Sequence, residues 1–150
     1  GELAWSESGR SHFADVRGLF LLDFAVLGVT AAAAAGFLLL YKAKGLRFHR
    51  FAGRGPAFWA GTGVAAAVLV VAGLAALDFD RAFVVFHAIF FPGKDNWIFD
   101  PAADQIILVM PEVFFRNCAL LIGGVLLACC AGLVLWDVLA CRRSRTAALR

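Results

Sequence analysis

Residues 58–77 read FWAGTGVAAAVLVVAGLAAL, and this almost wholly apolar stretch decides the fold class. A helix needs roughly 20 residues to cross a hydrocarbon layer about 30 Å thick. Two further runs of similar length and character occupy residues 19–41 and 117–139. Because lipid offers no partner to unpaired backbone groups, each run is predicted to be a helix and open strands are excluded. The sequence therefore predicts an all-α membrane helix bundle with three spans.

The composition indicates the same class. Of the 150 residues, 62% are hydrophobic and only 17% are charged, and the mean hydropathy is +0.82. The surface of a soluble domain would need more charge than this. Glycines in the first two runs, and the alanines from Ala31 to Ala35, allow helix backbones to approach closely. We therefore expect residues 1–150 to form a single membrane domain.

Lysine and arginine predict the orientation of the spans, because they concentrate in cytoplasmic loops. They are frequent in residues 42–57 and 140–150, which are predicted to be an inner loop and an inner tail. Residues 1–18 and 78–116 then form outer segments, the second a lid of helices and loops. The net charge of +3 mostly reflects the inner basic residues and does not indicate nucleic-acid binding.

An outer amino-terminal segment without a preceding span is awkward for membrane insertion. We therefore expect the parent protein to have one more span before this sequence, giving four in total with both ends inside. The four cysteines lie in or just after the third run and show no metal-ligand spacing. They are predicted to be small apolar fillers, although Cys141, among arginines, could instead be acylated. No metal site and no cofactor are predicted.

The first candidate site lies just before the first span. His12 and Asp15 are three residues apart, so on a helix their side chains share a face. A carboxylate beside an imidazole can orient the ring and fix its tautomer. The open alternative is a polar helix start with a solvated histidine. His49, among the inner basic residues, is predicted to be solvated.

The second candidate site follows the second span. Asp80 is predicted to cap a helix that carries His87 among phenylalanines. Burial there should lower the pKa of His87, leaving a neutral imidazole that can accept a proton. The open alternative is an interfacial histidine that hydrogen-bonds a backbone group. Further along the lid, Asp100 and Glu112 are each predicted to mark a helix start beside a proline.

Four short motifs occur in order along the outer segments. They are HFADVR at residues 12–17, FHAIFF at 86–91, Trp97 with FDP at 99–101, and MPEVFF at 110–115. Together they resemble the bacterial lipoprotein intramolecular transacylase family of four-span membrane proteins. The likeness covers nearly the whole chain in order and topology. The family's first span and most of its outer domain are absent from this sequence.

The resemblance implies an acyl transfer at the outer face of the bacterial cytoplasmic membrane. An acyl chain would move from the diacylglyceryl group of a lipoprotein to the α-amino group of its N-terminal cysteine, giving a lyso-form lipoprotein. Such aminolysis of an ester needs a base, stabilisation of the oxyanion and a pocket for acyl chains. Holding amine and ester in attack geometry could lower the barrier by up to about 7–11 kcal/mol. The implied partners are the lipoprotein and membrane lipids, while the oligomeric state stays open.

The same resemblance implies a set of site residues. His12 and His87 are the expected catalytic pair, one as general base and the other as the donor to the oxyanion or the group that returns the proton. Which histidine takes which role stays open. The support residues are Asp15, expected to orient His12, and Arg17, Glu112 and Arg116, the last two being four apart and expected to pair on one helix face. The lipid cleft is assigned to Phe86, Phe90, Phe91, Trp97, Phe114 and Phe115.

Two other classes of function remain open at this stage. A metal-dependent membrane lipid hydrolase could use His12, Asp15, His87 and Glu112 as ligands, although no HExxH-like spacing supports it. A non-enzymatic binding or assembly protein could use the aromatic lid to dock a partner helix or lipid. Replacing either histidine would then leave activity in cells unchanged.

Overall fold

The computed structural model of the chain describes residues 4–45 and 49–148. In this part of the chain there are five helices and no strand: α1 (Glu7–Lys44), α2 (Pro56–Leu77), α3 (Phe79–Phe90), α4 (Ile106–Val109) and α5 (Glu112–Ala148). The all-α prediction is confirmed. The described residues divide into two compact units, one drawn from residues 1–47 and 83–113 and the other from 48–82 and 114–150.

Three of the helices are long and apolar enough to cross a membrane: α1, α2 and residues Glu112–Arg143 of α5. The predicted number of membrane helices is therefore confirmed. Every residue from 20 to 35 of α1 is exposed, and most of these are apolar. A continuous apolar surface of this size needs hydrocarbon around it, because it would drive aggregation in water. The points at which the chain enters and leaves the membrane stay predictions.

Helix α1 extends well beyond the predicted span. Its 38 residues form a helix about 57 Å long, nearly twice the thickness of the hydrocarbon layer. The apolar part begins at Leu19, and the turns over residues 7–18 are more polar. The helix starts at Ser6, whose Oγ accepts a hydrogen bond from the backbone N–H of Gly9 at 2.9 Å. A continuous helix therefore carries His12 near its N-terminal end.

Helix α3 is capped by Asp78, and the prediction that Asp80 would be the cap is wrong. Oδ1 of Asp78 accepts a hydrogen bond from the backbone N–H of Arg81 at 2.9 Å. The carbonyl oxygen of Asp78 accepts another from Ala82 at 3.1 Å. Asp80 lies inside the first turn of α3. Both aspartates precede an apolar stretch, and the end of α2 at Leu77 decides between them.

The predicted helix start at Asp100 is also wrong. Residues 100–104 form a turn in which the Asp100 carbonyl accepts from the N–H of Ala103 at 3.0 Å. The Asp100 side chain accepts from the N–H of Ala102 at 2.9 Å. A side chain that binds the backbone two residues on competes with helix formation. The other predicted start is confirmed, since α5 begins at Glu112, directly after a proline.

In the second unit, α2 packs against α5 at Gly61. A Cβ atom built there would lie 2.9 Å from the carbonyl oxygen of Cys130 and 3.0 Å from Cγ2 of Val134. Gly61 and Cys130 are both buried. At Gly63, by contrast, a Cβ atom would meet nothing within 4 Å. Gly61 is therefore the small residue that permits the helix contact.

Replacing Gly61 with valine is expected to lower the stability of the detergent-solubilised protein. The added side chain would press on the α5 backbone, and overpacking of this kind costs about 1–3 kcal/mol. Thermal unfolding followed by circular dichroism measures the effect. Gly63→Val is the matched control, because it adds the same side chain to the same helix in open space. Equal melting temperatures for the two variants would contradict the packing described.

Candidate active site

His12 on α1 and His87 on α3 are neighbours in the first unit. Their ring centroids are 5.8 Å apart and the ring planes are inclined by 33°. Both residues are buried, with a relative exposure of 6% each. The structure therefore brings together the two histidines that the resemblance pairs, although they come from distant parts of the sequence.

Two of the aromatic residues assigned to the lipid cleft pack directly on the histidines. The ring of Phe91 is buried and meets His12 edge-on, with centroids 4.8 Å apart. The indole of Trp97 stacks on His87 at 4.5 Å with an interplanar angle of 29°. These rings keep water away from one side of each imidazole.

One hydrogen bond determines the tautomer of His87. Its Nδ1 atom lies 2.8 Å from the carbonyl oxygen of Phe83, one turn earlier in α3. A carbonyl oxygen can only accept, so Nδ1 must carry the proton. In the neutral ring, Nε2 therefore keeps its lone pair. This is the form that a general base needs.

The ring of His12 has a different environment. Its Nδ1 atom is buried and has no hydrogen-bond partner. Burial lowers the pKa of His12 below 6.5, and the neighbouring His87 lowers it further. Asn96 and Asp15 act in the opposite direction, because each favours the charged ring. His12 lies in the polar part of α1 and is expected to be neutral at pH 7.

A titration can test this environment. Because the pKa of His12 is lowered, the ring should gain its proton only at a pH below the ordinary histidine value of 6.5. Histidine-selective NMR of the solubilised protein should show that midpoint. Asp15→Asn should move it further down, since removing the carboxylate removes a group that favours imidazolium. A midpoint at or above 6.5 in the unsubstituted protein would contradict the burial of the ring.

Asp15 is not the direct partner of His12 that the spacing predicts. Its Oδ1 accepts a hydrogen bond from Nζ of Lys94 at 2.6 Å, and its Oδ2 accepts one from Nδ2 of Asn96 at 3.0 Å. Lys94, followed by Asn96, lowers the pKa of the Asp15 carboxyl. Lys94 and Asn96 thus use both oxygens of the Asp15 carboxylate as acceptors. Asp15 joins α1 to the turn that follows α3.

Asp104 joins the lid to the start of α1 at a second point. It is buried, with 3% exposure. Its Oδ1 accepts from the backbone N–H of Ser6 at 2.8 Å, and its Oδ2 accepts from the Ser6 hydroxyl at 2.9 Å. A Cβ atom at Gly9 would collide with Oδ1 of Asp104. The missing side chain at Gly9 therefore makes room for this buried carboxylate.

The other predicted site residues are spread over both units. Phe86 and Phe90 lie on α3, about half exposed, with ring centroids 4.6 Å apart. Four further residues are exposed, namely Arg17, Glu112, Phe114 and Arg116, while Phe115 is half-buried. No ion pair joins Glu112 to Arg116, so their predicted pairing is not formed. Phe114, Phe115 and Arg116 belong to the second unit, whereas both catalytic candidates belong to the first.

The ligand set considered for a metal-dependent hydrolase is not assembled. Within residues 4–45 and 49–148, no three histidine, cysteine or acidic side chains come close enough to hold a metal ion. The carboxylate of Asp15, one of the four residues considered, is bound to Lys94 and Asn96.

Sequence analysis did not assign three residues that the structure places at the site. Phe83 lies 4.2 Å from His87 between ring centroids, and Phe99 lies 5.5 Å from His12. Asn96 binds two side chains of α1. The signal for Asn96 was its place in a short polar turn just before Trp97.

Together, the fold and the site define a polytopic helical membrane protein with a buried histidine pair near the N-terminal end of α1. The family described as "Lipoprotein intramolecular transacylase Lit" matches residues 1–115 of the sequence. The chain belongs to this family, as the motifs predicted.

A solved structure shows the same relationship. The fold is similar to the in meso structure of the membrane integral lipoprotein intramolecular transacylase Lit from Bacillus cereus, with a TM-score of 0.74 and 26% sequence identity. The match covers 96% of this chain and 63% of the other. The chain therefore spans less than two thirds of the length of that relative. The comparison with curated proteins gave no match.

Proposed function

We propose that the protein transfers an acyl chain within a single lipoprotein molecule. The chain would leave a glyceryl ester on the N-terminal cysteine and join the α-amino group of that cysteine. The observation that carries the proposal is the buried histidine pair, in which His87 presents a lone pair at Nε2. Membership of the transacylase family supplies the reaction.

In this reaction His87 is the general base. The amine nitrogen attacks the carbonyl carbon of the ester while Nε2 of His87 takes a proton from that nitrogen. The carbon–oxygen bond to the glyceryl group then breaks, and the proton passes from His87 to the departing oxygen. One ester bond is lost, one amide bond forms, and a free glyceryl hydroxyl remains. Because amine and ester are in one molecule, most of the rate gain comes from holding them in contact.

His12 is the second imidazole of the pair. With its ring centroid 5.8 Å from that of His87, it is close enough to contact the same small substrate group. A proton on one ring disfavours a proton on the other, and this is one reason why the pKa of His12 is lowered.

The apolar face of α3 suits the acyl chains. Four apolar residues flank His87 and have roughly half or more of their surface exposed, namely Val85, Phe86, Ile89 and Phe90. Long hydrocarbon chains are retained by apolar surface of this kind, at about 0.8 kcal/mol for each buried CH₂. Phe86 connects this surface to the base, because its ring centroid lies 5.4 Å from that of His87. The distribution of lysine and arginine supports an outer face of the bacterial cytoplasmic membrane as the location.

Mass spectrometry of lipoprotein N-termini from bacteria that express the protein tests the proposal. Moving an acyl chain within one molecule leaves the mass unchanged, so fragment ions are needed to locate the chain. We expect an N-acyl, S-monoacylglyceryl cysteine where control cells carry a diacylglyceryl cysteine. If lipoproteins keep a free amine and two ester-linked chains while the protein is present in the membrane, the proposed function is wrong.

A further inference from the structure

The side-chain amide of Asn96 is held in one orientation against α1. Its Nδ2 atom donates to Oγ of Ser11 at 3.2 Å and to Oδ2 of Asp15 at 3.0 Å. A carboxylate can only accept, so the NH₂ group must face Asp15 and the Oδ1 atom must point elsewhere. Ser11 and Asp15 are one turn apart on α1. The amide therefore bridges the turn of α1 that carries His12.

Two buried polar atoms, Oδ1 of Asn96 and Nδ1 of His12 in this turn, have no hydrogen-bond partner. Buried polar atoms in proteins are nearly always paired. One of these atoms is an acceptor, and the other is a donor whenever the ring carries its proton at Nδ1. Asn96 also favours the charged form of His12, which is the effect of an acceptor beside the ring. A hydrogen bond between the two atoms would satisfy both of them.

We propose that Asn96 is the positioning residue for His12: its Oδ1 accepts the Nδ1 proton and leaves the lone pair of the neutral ring on Nε2. The inference rests on the proposed role of the histidine pair. Asp15 acts on His12 indirectly: it accepts a hydrogen bond from the Asn96 amide, and the amide in turn orients the ring. We call this Asp15–Asn96–His12 chain of contacts the relay. This relay replaces the direct Asp15–His12 contact that the sequence spacing predicts.

A consequence concerns the substrate group that the pair recognises. The Phe83 carbonyl leaves the lone pair of His87 on Nε2, and Asn96 leaves that of His12 on the same atom. Two acceptor nitrogens with ring centroids 5.8 Å apart suit a group with several donors. A neutral primary amine offers two N–H donors, whereas a hydroxyl offers one. The pair is therefore matched to a neutral α-amino group, which keeps the lone pair that attacks the ester.

Nitrogen NMR of the full chain, labelled with ¹⁵N-histidine and solubilised in detergent, tests the relay directly. The shifts of a protonated and an unprotonated ring nitrogen differ, and the His12 signals are identified by their loss in a His12→Gln variant. We expect Nδ1–H in the unsubstituted protein and a mixture of tautomers in Asn96→Ala. Finding Nε2–H in the unsubstituted protein, or an unchanged tautomer in Asn96→Ala, would overturn the inference.

Activity gives a second readout. Loss of a buried hydrogen bond of this kind should slow acyl transfer by Asn96→Ala roughly ten- to a hundredfold, mainly through kcat. The tautomer of His12 is measured without substrate. The measurement therefore tests the Asn96–His12 contact independently of which reaction the protein catalyses. Should Asn96→Ala fail to fold, Asp15→Ala tests the same relay. Without the Asp15 carboxylate the Asn96 amide can rotate, so the neutral His12 ring should again be a mixture of the two tautomers. An unchanged His12 tautomer in Asp15→Ala would contradict the relay.

Discussion

Bacteria that produce the His87→Gln variant should form about 10²- to 10⁴-fold less N-acylated lipoprotein than those with the unsubstituted protein, the range expected when a general base is lost. Glutamine fills similar space and can still donate to the Phe83 carbonyl, but it has no basic nitrogen. Abundance and thermal stability should therefore change little while the reaction stops. Mass spectrometry of lipoprotein N-termini measures the product, and immunoblotting of membranes measures the protein.

The matched control for this prediction is His49→Gln. His49 is exposed and belongs to the second unit, so the same substitution there should leave the product unchanged. His12→Gln should lose activity as well, because the pair acts on one substrate group. If His87→Gln retained product within tenfold, the histidines would be structural. The aromatic lid would then favour a non-enzymatic docking role.

Replacing Asp104 with alanine should release the lid from the start of α1. The substitution leaves the Ser6 N–H and the Ser6 hydroxyl without their acceptor. Hydrogen bonds to a charged group contribute about 1.5–3 kcal/mol each. Both hydrogen bonds from Ser6 to Asp104 would be lost, at a place where Asp104 is buried. We expect a destabilisation of about 3 kcal/mol or more, seen as a lower melting temperature and faster amide exchange around Gly9. Acyl transfer should fall too, because Phe99 would leave the ring of His12.

Asp95→Ala is the matched control for Asp104→Ala. Asp95 is exposed and lies on the same lid, so the change in charge and size is the same while no buried contact is lost. Surface substitutions of this kind usually change stability by less than about 0.5 kcal/mol. Similar melting temperatures for the two variants would show that Asp104 does not hold the lid.

The sequence predicted the membrane helices because their signal is local. A run such as residues 58–77 needs no partner to be recognised, since its length and apolar character already match a bilayer. The extent of α1 was harder to predict. Its first turns are polar and carry no apolar periodicity, yet they continue the same helix down to Glu7. The cap of α3 depended on where α2 ends, and two neighbouring aspartates offered the same signal.

The candidate site likewise has a part that the sequence predicted and a part that it did not. The two histidines were predicted from motifs, and the structure brings their rings together. Their supporting contacts could not be predicted, because Asn96 reaches Asp15 and Asp104 reaches Ser6 across most of the length of the chain. Spacing along one helix suggested that Asp15 would bind His12. In the structure, Lys94 and Asn96 of the lid bind that carboxylate instead. The sequence around Asp15 gives no sign of these two partners.

A crossover experiment with purified protein tests the central claim most directly. Two synthetic diacylglyceryl lipopeptides are mixed, one with deuterated acyl chains and the other with a ¹³C-labelled peptide. The proposal predicts N-acyl lipopeptides in which labelled chains stay with their own peptide and total mass is unchanged. Products that combine a deuterated chain with a ¹³C-labelled peptide, or free fatty acid in place of an amide, would contradict transfer within one molecule.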